Sequence, residues 1–158
     1  PIQYGDTSHI PLIVMNGLLV GYAHSKLFVE VREKASLAYT VSSTMDIFSG
    51  MLRVYAGIDR KNRNKAMTLI NRQVADLKRG KFSEEELQQT KNMLKNSALL
   101  SQDRQNSLLE TTYLSAVLGK KFLAVDEWLE VMENVKKEDI VLAANTLKLQ
   151  AMYFMEGK

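Results

Sequence analysis

The sequence predicts an α+β domain, an antiparallel sheet with helices layered on one face. Three observations lead there. Apolar residues recur at helical spacing before residue 35 and again after residue 60. Between those regions the period drops to two. The 158 residues, 46% hydrophobic and 25% charged, suit one soluble globular domain spanning 1–158.

Asp6, Thr7 and Ser8 can cap a first helix starting near His9. Its apolar positions are nearly continuous through Leu19, so it should be well buried, and Gly21 ends it. A second helix runs from about Ser25 to Lys34, with Leu27, Phe28 and Val31 on one face. Glu33 and Lys34 read as a solvated pair. Next, Leu37, Tyr39, Val41, Met45 and Ile47 alternate with Ala38, Thr40, Ser42, Thr44 and Asp46. That is a strand with Tyr39 on its apolar face. Ser49 and Gly50 form a turn, and Leu52, Val54, Ala56 and Ile58 alternate with Met51, Arg53 and Tyr55 in a second strand. The short connection makes an antiparallel hairpin.

From about Lys61 to Lys78, Ala66, Leu69, Ile70, Val74 and Leu77 form a helical stripe, with Gly80 just past its end. Ser83 and Glu86 form a capping box for a helix that could continue to Leu118. That span is too long for one ordinary helix, and polar residues 101–106 predict a bend or break. Two shorter helices follow, one with Trp128, Val131, Met132 and Val135, the other with Ile140, Ala143, Ala144 and Leu147. A last strand is expected from Gln150 to Met155. Met45, Met51, Met93 and Met132 read as core gap-fillers.

Composition narrows the chemistry. The absence of cysteine excludes disulfides, thiolate metal sites and cysteine nucleophiles, and fits a cytoplasmic protein. The longest apolar stretch, Ile10 to Val20, is interrupted by Asn16 and too short to span a bilayer, so no membrane association is expected. Net charge is +3. Its densest basic runs, Arg60, Lys61, Arg63 and Lys65 and then Lys78, Arg79 and Lys81, carry no interleaved aromatics. They read as solvated helix ends, and no nucleic-acid partner is expected. The two histidines, His9 and His24, form neither H-E-x-x-H nor H-x-x-E-H, and both read as helix-start residues; no metal or cofactor is expected on this chain. No G-x-S-x-G or phosphate loop is present. Gly17 and Gly21 read as close helix packing and a helix stop.

The stretch Ser25 to Tyr39 reads S-K-L-F-V-E-V-R-E-K-A-S-L-A-Y. It resembles the C-terminal halves of the pitrilysin/insulinase zinc metallopeptidases and the mitochondrial processing peptidases, which carry S-x-L-F-x-x-x-R-E-K-x-x-L-A-Y. The S-E-E-E-L-x-x-x-K segment from Ser83 to Lys91 and the K-x-E-D-I-x-x-A-A segment ending at Ala144 extend the resemblance along nearly the whole chain. It implies a two-halved chamber, with zinc held by one half. The other half contributes an arginine and a tyrosine that reach the substrate, and Arg32 and Tyr39 match them as the candidate catalytic pair. A guanidinium and a phenol can both donate to a scissile carbonyl oxygen as charge builds on it. The plainer roles are a cation at a helix C-terminus for Arg32 and core packing for Tyr39.

The chain departs from the family pattern at Ser36, where glycine is usual, and at Val20-Gly21, where a double glycine is usual. Half-domains of this family usually begin with strands before the first helix. Pro1 to Gly5 is too short to supply them, so the resemblance implies a fragment with an incomplete sheet. The leading functional reading is therefore the substrate-binding, non-zinc half of a zinc-dependent peptidase. It would act on a peptide with a zinc-bearing half-domain or subunit. The alternatives are a non-catalytic family member serving assembly or substrate recognition, and an independent module that homodimerises through its sheet edge.

Overall fold

The structure, a computed structural model, describes residues 9–46, 49–102, 113, 115–117, 119 and 123–156. Five α-helices and one hairpin organise them: α1 (Ile10–Asn16), β1 (Ala38–Asp46), β2 (Met51–Ile58), α2 (Arg63–Lys78), α3 (Glu84–Gln102), α4 (Val125–Glu133) and α5 (Lys137–Thr146). Two π-helical segments join α1 to β1, Gly17–Gly21 and Phe28–Lys34.

The first segment is apolar all round, so it can only be satisfied inside the molecule. Ile10, Val14, Met15, Leu18 and Leu19 are buried, and α1 packs against α3, α4 and α5. Leu27, Val31, Leu77, Leu87, Met132 and Ile140 complete the core from the other elements. Burying a side chain of this size contributes about 1.5–3 kcal/mol, so this layer supplies most of the hydrophobic stabilisation. Gly17 lies against α3 so closely that a Cβ there would stand 2.7 Å from the Thr90 methyl group. The helix stops after Gly21, where Tyr22 becomes extended.

β1 and β2 pair antiparallel in register Val41↔Ala56 and Met45↔Leu52, and they form a two-stranded sheet. Val41, Leu52, Val54 and Ile58 pack on the core, so the helices cover one face of the hairpin. Gly50 takes the left-handed conformation at the turn (φ 64°), and Asp46 accepts hydrogen bonds from the Ser49 amide (3.2 Å) and hydroxyl (2.6 Å). The capping box at α3 is formed as the spacing predicts. The Ser83 amide donates to Glu86 at 2.8 Å, and the Glu86 amide donates to the Ser83 hydroxyl at 3.0 Å.

Several expectations are corrected. Residues 150–155 form no strand, although one was expected there; no ladder partner accompanies them among the described residues. Glu33 and Lys34 do not pair with each other. Lys34 meets Glu30 at 2.7 Å, one helical turn away, and Glu33 meets Arg32. Met132 fills the core as expected, but Met51 and Met93 lie on the surface. Helix α3 is intact through Gln102, residues 113 and 115–117 are helical, and most of the expected break at 101–106 lies outside the described residues. So do the capping residues Asp6, Thr7 and Ser8, and Ile47 of the expected first strand.

Candidate functional site

Arg32 lies in the π-helical segment Phe28–Lys34. Such widened turns often accompany functional positions, and periodicity alone does not reveal them. Val31 plugs the segment into the core, which turns its neighbour outward. The Arg32 side chain is 43% exposed, with its Nε 3.6 Å from Glu33 Oε1. Its guanidinium lies over the Phe28 ring, 4.5 Å from the centroid. Phe28 thus limits its freedom without using up its donors.

The chain then turns sharply. The Leu37 amide donates back to the Val31 carbonyl at 3.0 Å, while Ser36 adopts φ 48°. A residue with a Cβ pays about 1–2 kcal/mol in this region. This is the position at which the resemblance leads one to expect glycine, and the backbone explains that preference.

Tyr39 sits in a β-bulge. Ala38 faces Ile58 and Thr40 faces Gly57, so two steps on β1 answer one on β2 and Tyr39 is left over. The parity of the strand shifts there. Ala38 is buried, Tyr39 and Thr40 are exposed, and Val41 points inward again. Tyr39 therefore stands in solvent, 69% exposed, and not on the apolar face that simple alternation assigns to it. Gly57 makes the bulge possible, because a Cβ there would lie 2.8 Å from the Thr40 hydroxyl. A glycine inside a strand was the readable signal for this irregularity.

The Tyr39 hydroxyl donates to Asp59 Oδ1 at 3.0 Å. That bond, together with the carboxylate charge, raises the phenol pKa, so the group stays protonated. Asp59 follows β2 directly and lies 3.9 Å from Lys61 Nζ. Asp59, Arg60 and Lys61 line an open depression of about 630 Å³. Asp59 was not singled out from the sequence, since only the hairpin register brings it to Tyr39.

Arg32 and Tyr39 both present donors to solvent, but no hydrogen bond or ring contact joins them. Arg32 rests on Phe28 and Glu33, and Tyr39 on Asp59. The geometry leaves each able to grip an acceptor from outside.

Among the described residues, no group of three His, Asp or Glu side chains is arranged to hold a metal ion. His9 precedes α1 as its N-cap residue. His24 clasps α3 to the turn after Gly21. Its Nε2 lies 2.8 Å from Thr90 Oγ1, and the Thr90 hydroxyl donates its proton to the Glu86 carbonyl. Thr90 must therefore accept from His24, which places the histidine proton on Nε2. The ring stacks on Tyr22, with centroids 5.6 Å apart. Burial lowers the His24 pKa, against a smaller opposing pull from Glu86.

The family model described as "Peptidase M16 inactive domain" matches residues 1–94. The chain is 40% identical over 156 residues to "Probable inactive metalloprotease YmfF" of Bacillus subtilis, covering 99% of this chain and 36% of that protein. It is 31% identical over 141 residues to "Uncharacterized zinc protease YmxG" of the same organism, covering 88% of this chain and 34% of that protein. A crystal structure of a conserved protein from Enterococcus faecalis superposes with TM-score 0.94 at 42% identity, covering 99% of this chain and 37% of that one. The chain thus spans about a third of the length of the curated relatives it matches.

Proposed function

This chain belongs to the peptidase M16 inactive-domain family, and from that membership we propose that it is the substrate-binding, non-zinc half of a zinc-dependent peptidase. In this reading residues 1–158 are one domain of a longer, cytoplasmic protein. Peptide-bond hydrolysis then requires a zinc-bearing half-domain or partner subunit. The chemistry zinc supplies, a bound water acidic enough to attack near neutral pH, belongs to that other half.

The observation that carries the proposal is the Tyr39 hydroxyl, lifted out of the core by a bulge, protonated and facing solvent. A strand tyrosine that served packing would be buried. In the free chain Asp59 holds and aims the hydroxyl. A peptide carbonyl that gains negative charge during attack competes for this donor, and Arg32 can add a second one.

A second reading has one specific observation in its favour: the Bacillus relative at 40% identity is named as an inactive metalloprotease. Here the domain keeps the fold and serves assembly or substrate recognition beside an active partner. Co-expression with the rest of its protein separates the two. The peptidase reading expects cleavage of an unstructured peptide that stops on zinc chelation and returns with zinc. Binding of peptide without any turnover, with or without added zinc, rejects it in favour of the second.

A further inference from the structure

We propose that the open depression formed by Asp59, Arg60 and Lys61 is a subsite for an acidic side chain of the bound peptide. This rests on the substrate-binding reading above, and it adds a preference that the reading does not contain.

Three observations place it. The depression shares Asp59 with the candidate donor Tyr39, so an occupant sits beside the bond that Tyr39 would grip. Its cations lie at the surface: the Arg60 and Lys61 side chains are 82% and 81% exposed. Finally, one of these cations already holds a carboxylate of the chain. Glu156, from the irregular tail after α5, meets Arg60 Nε at 3.3 Å. Two residues earlier Phe154 lies under the Arg63 guanidinium, 4.9 Å from its ring centroid. A segment with an aromatic residue followed two positions later by an acid thus meets Arg63 and Arg60. A peptide of the same pattern can be recognised in the same way, by ion pairing at one point and a cation over a ring at the next.

The local balance favours an anion. Asp59 is engaged by Tyr39 and Lys61, while Arg60, Lys61, Arg63 and Lys65 fall within one short stretch. Glu156 is in this view a competitor, since it occupies the Arg60 Nε that a peptide carboxylate would engage.

The test is fluorescence anisotropy on this chain with short labelled peptides that carry Phe-Ala-Glu, Phe-Ala-Gln or Phe-Ala-Lys in one fixed frame. The Glu peptide should bind most tightly and the Lys peptide least, with the preference shrinking at high salt. Arg60→Gln and Lys61→Gln should each weaken the Glu peptide by about two- to fivefold and leave the Gln peptide unchanged. Glu156→Gln should strengthen the Glu peptide by a similar factor, and circular dichroism should show each variant folded. Equal binding of the Glu and Gln peptides overturns the proposal. So does Glu156→Gln that does not strengthen binding, or single-stranded DNA that competes as well as the Glu peptide. The two proposals fail separately. A Glu preference that persists while Arg32→Ala and Tyr39→Phe leave cleavage untouched rejects the catalytic roles and keeps the subsite. Loss of cleavage in those variants with no Glu preference does the reverse.

Discussion

Along α1, Ile10, Val14 and Met15 are sealed from solvent, whereas around the bulge Tyr39, Arg60 and Lys61 stand out in it. The helical region is held mainly by apolar contact, with polar ties such as His24–Thr90 and Lys26–Glu86. The hairpin end is held by backbone pairing, a glycine and a few polar bonds. Stability and candidate function are therefore spatially divided. The apolar residues that form the core are sealed from solvent, and those that could touch a substrate contribute little packing. A two-stranded hairpin is marginal by itself. It serves here because Val41, Leu52, Val54 and Ile58 anchor one face to the helices and leave the other face open.

Substitutions can break or sharpen that division. Leu18→Ala removes a fully buried side chain from the helical layer and should cost about 2–5 kcal/mol of unfolding free energy in urea titrations. A cost below about 1 kcal/mol would deny this layer its dominant role. Gly57→Ala attacks the boundary between the regions. Its new methyl group must displace Thr40, so a loss of about 1–3 kcal/mol is expected, with a shifted Tyr39 ring resonance. An unshifted Tyr39 signal would separate the bulge from Gly57.

The smallest effect concerns the His24 clasp. Its folded pKa lies below the unfolded value of about 6.5, so the unfolded chain takes up a proton first as pH falls. The contribution is fully present above that value and is lost as pH drops toward the folded pKa. His24→Gln should flatten this part of the stability profile below the unfolded value of about 6.5. Only His9 and His24 contribute imidazole signals, so proton NMR can follow the titration directly.

Much of the architecture was readable because its signals are local. The period change into β1, the Ser83–Glu86 cap and the glycine after α2 depend on neighbours a few residues away. Gly17 was assigned to close packing, and it lies against Thr90 on the distant helix α3. Tyr39 was placed on the wrong face because alternation assumes an unbroken register, and one extra residue reverses the parity. Asp59 and Glu156 escaped notice because only the hairpin register and the return of the tail bring them beside Tyr39 and Arg60. Arg32 and Tyr39 entered through family resemblance, since an arginine near a helix end and a tyrosine in a strand are ordinary by pattern alone. The expected strand at 150–155 is rich in apolar and aromatic residues, but a strand also needs a neighbour to pair with.

The account stands on Tyr39 acting on substrate rather than on the fold. The decisive measurement is kcat/KM for peptide cleavage by the full-length protein carrying Tyr39→Phe, taken beside its unfolding free energy. Loss of one such donor should cost about 2.7–4 kcal/mol of transition-state stabilisation, roughly 10²–10³-fold in rate. The unfolding free energy should stay within about 0.5 kcal/mol of the parent, as for an exposed side chain. Unchanged turnover in the Tyr39→Phe protein, or a loss of activity matched by a loss of stability, would contradict the account.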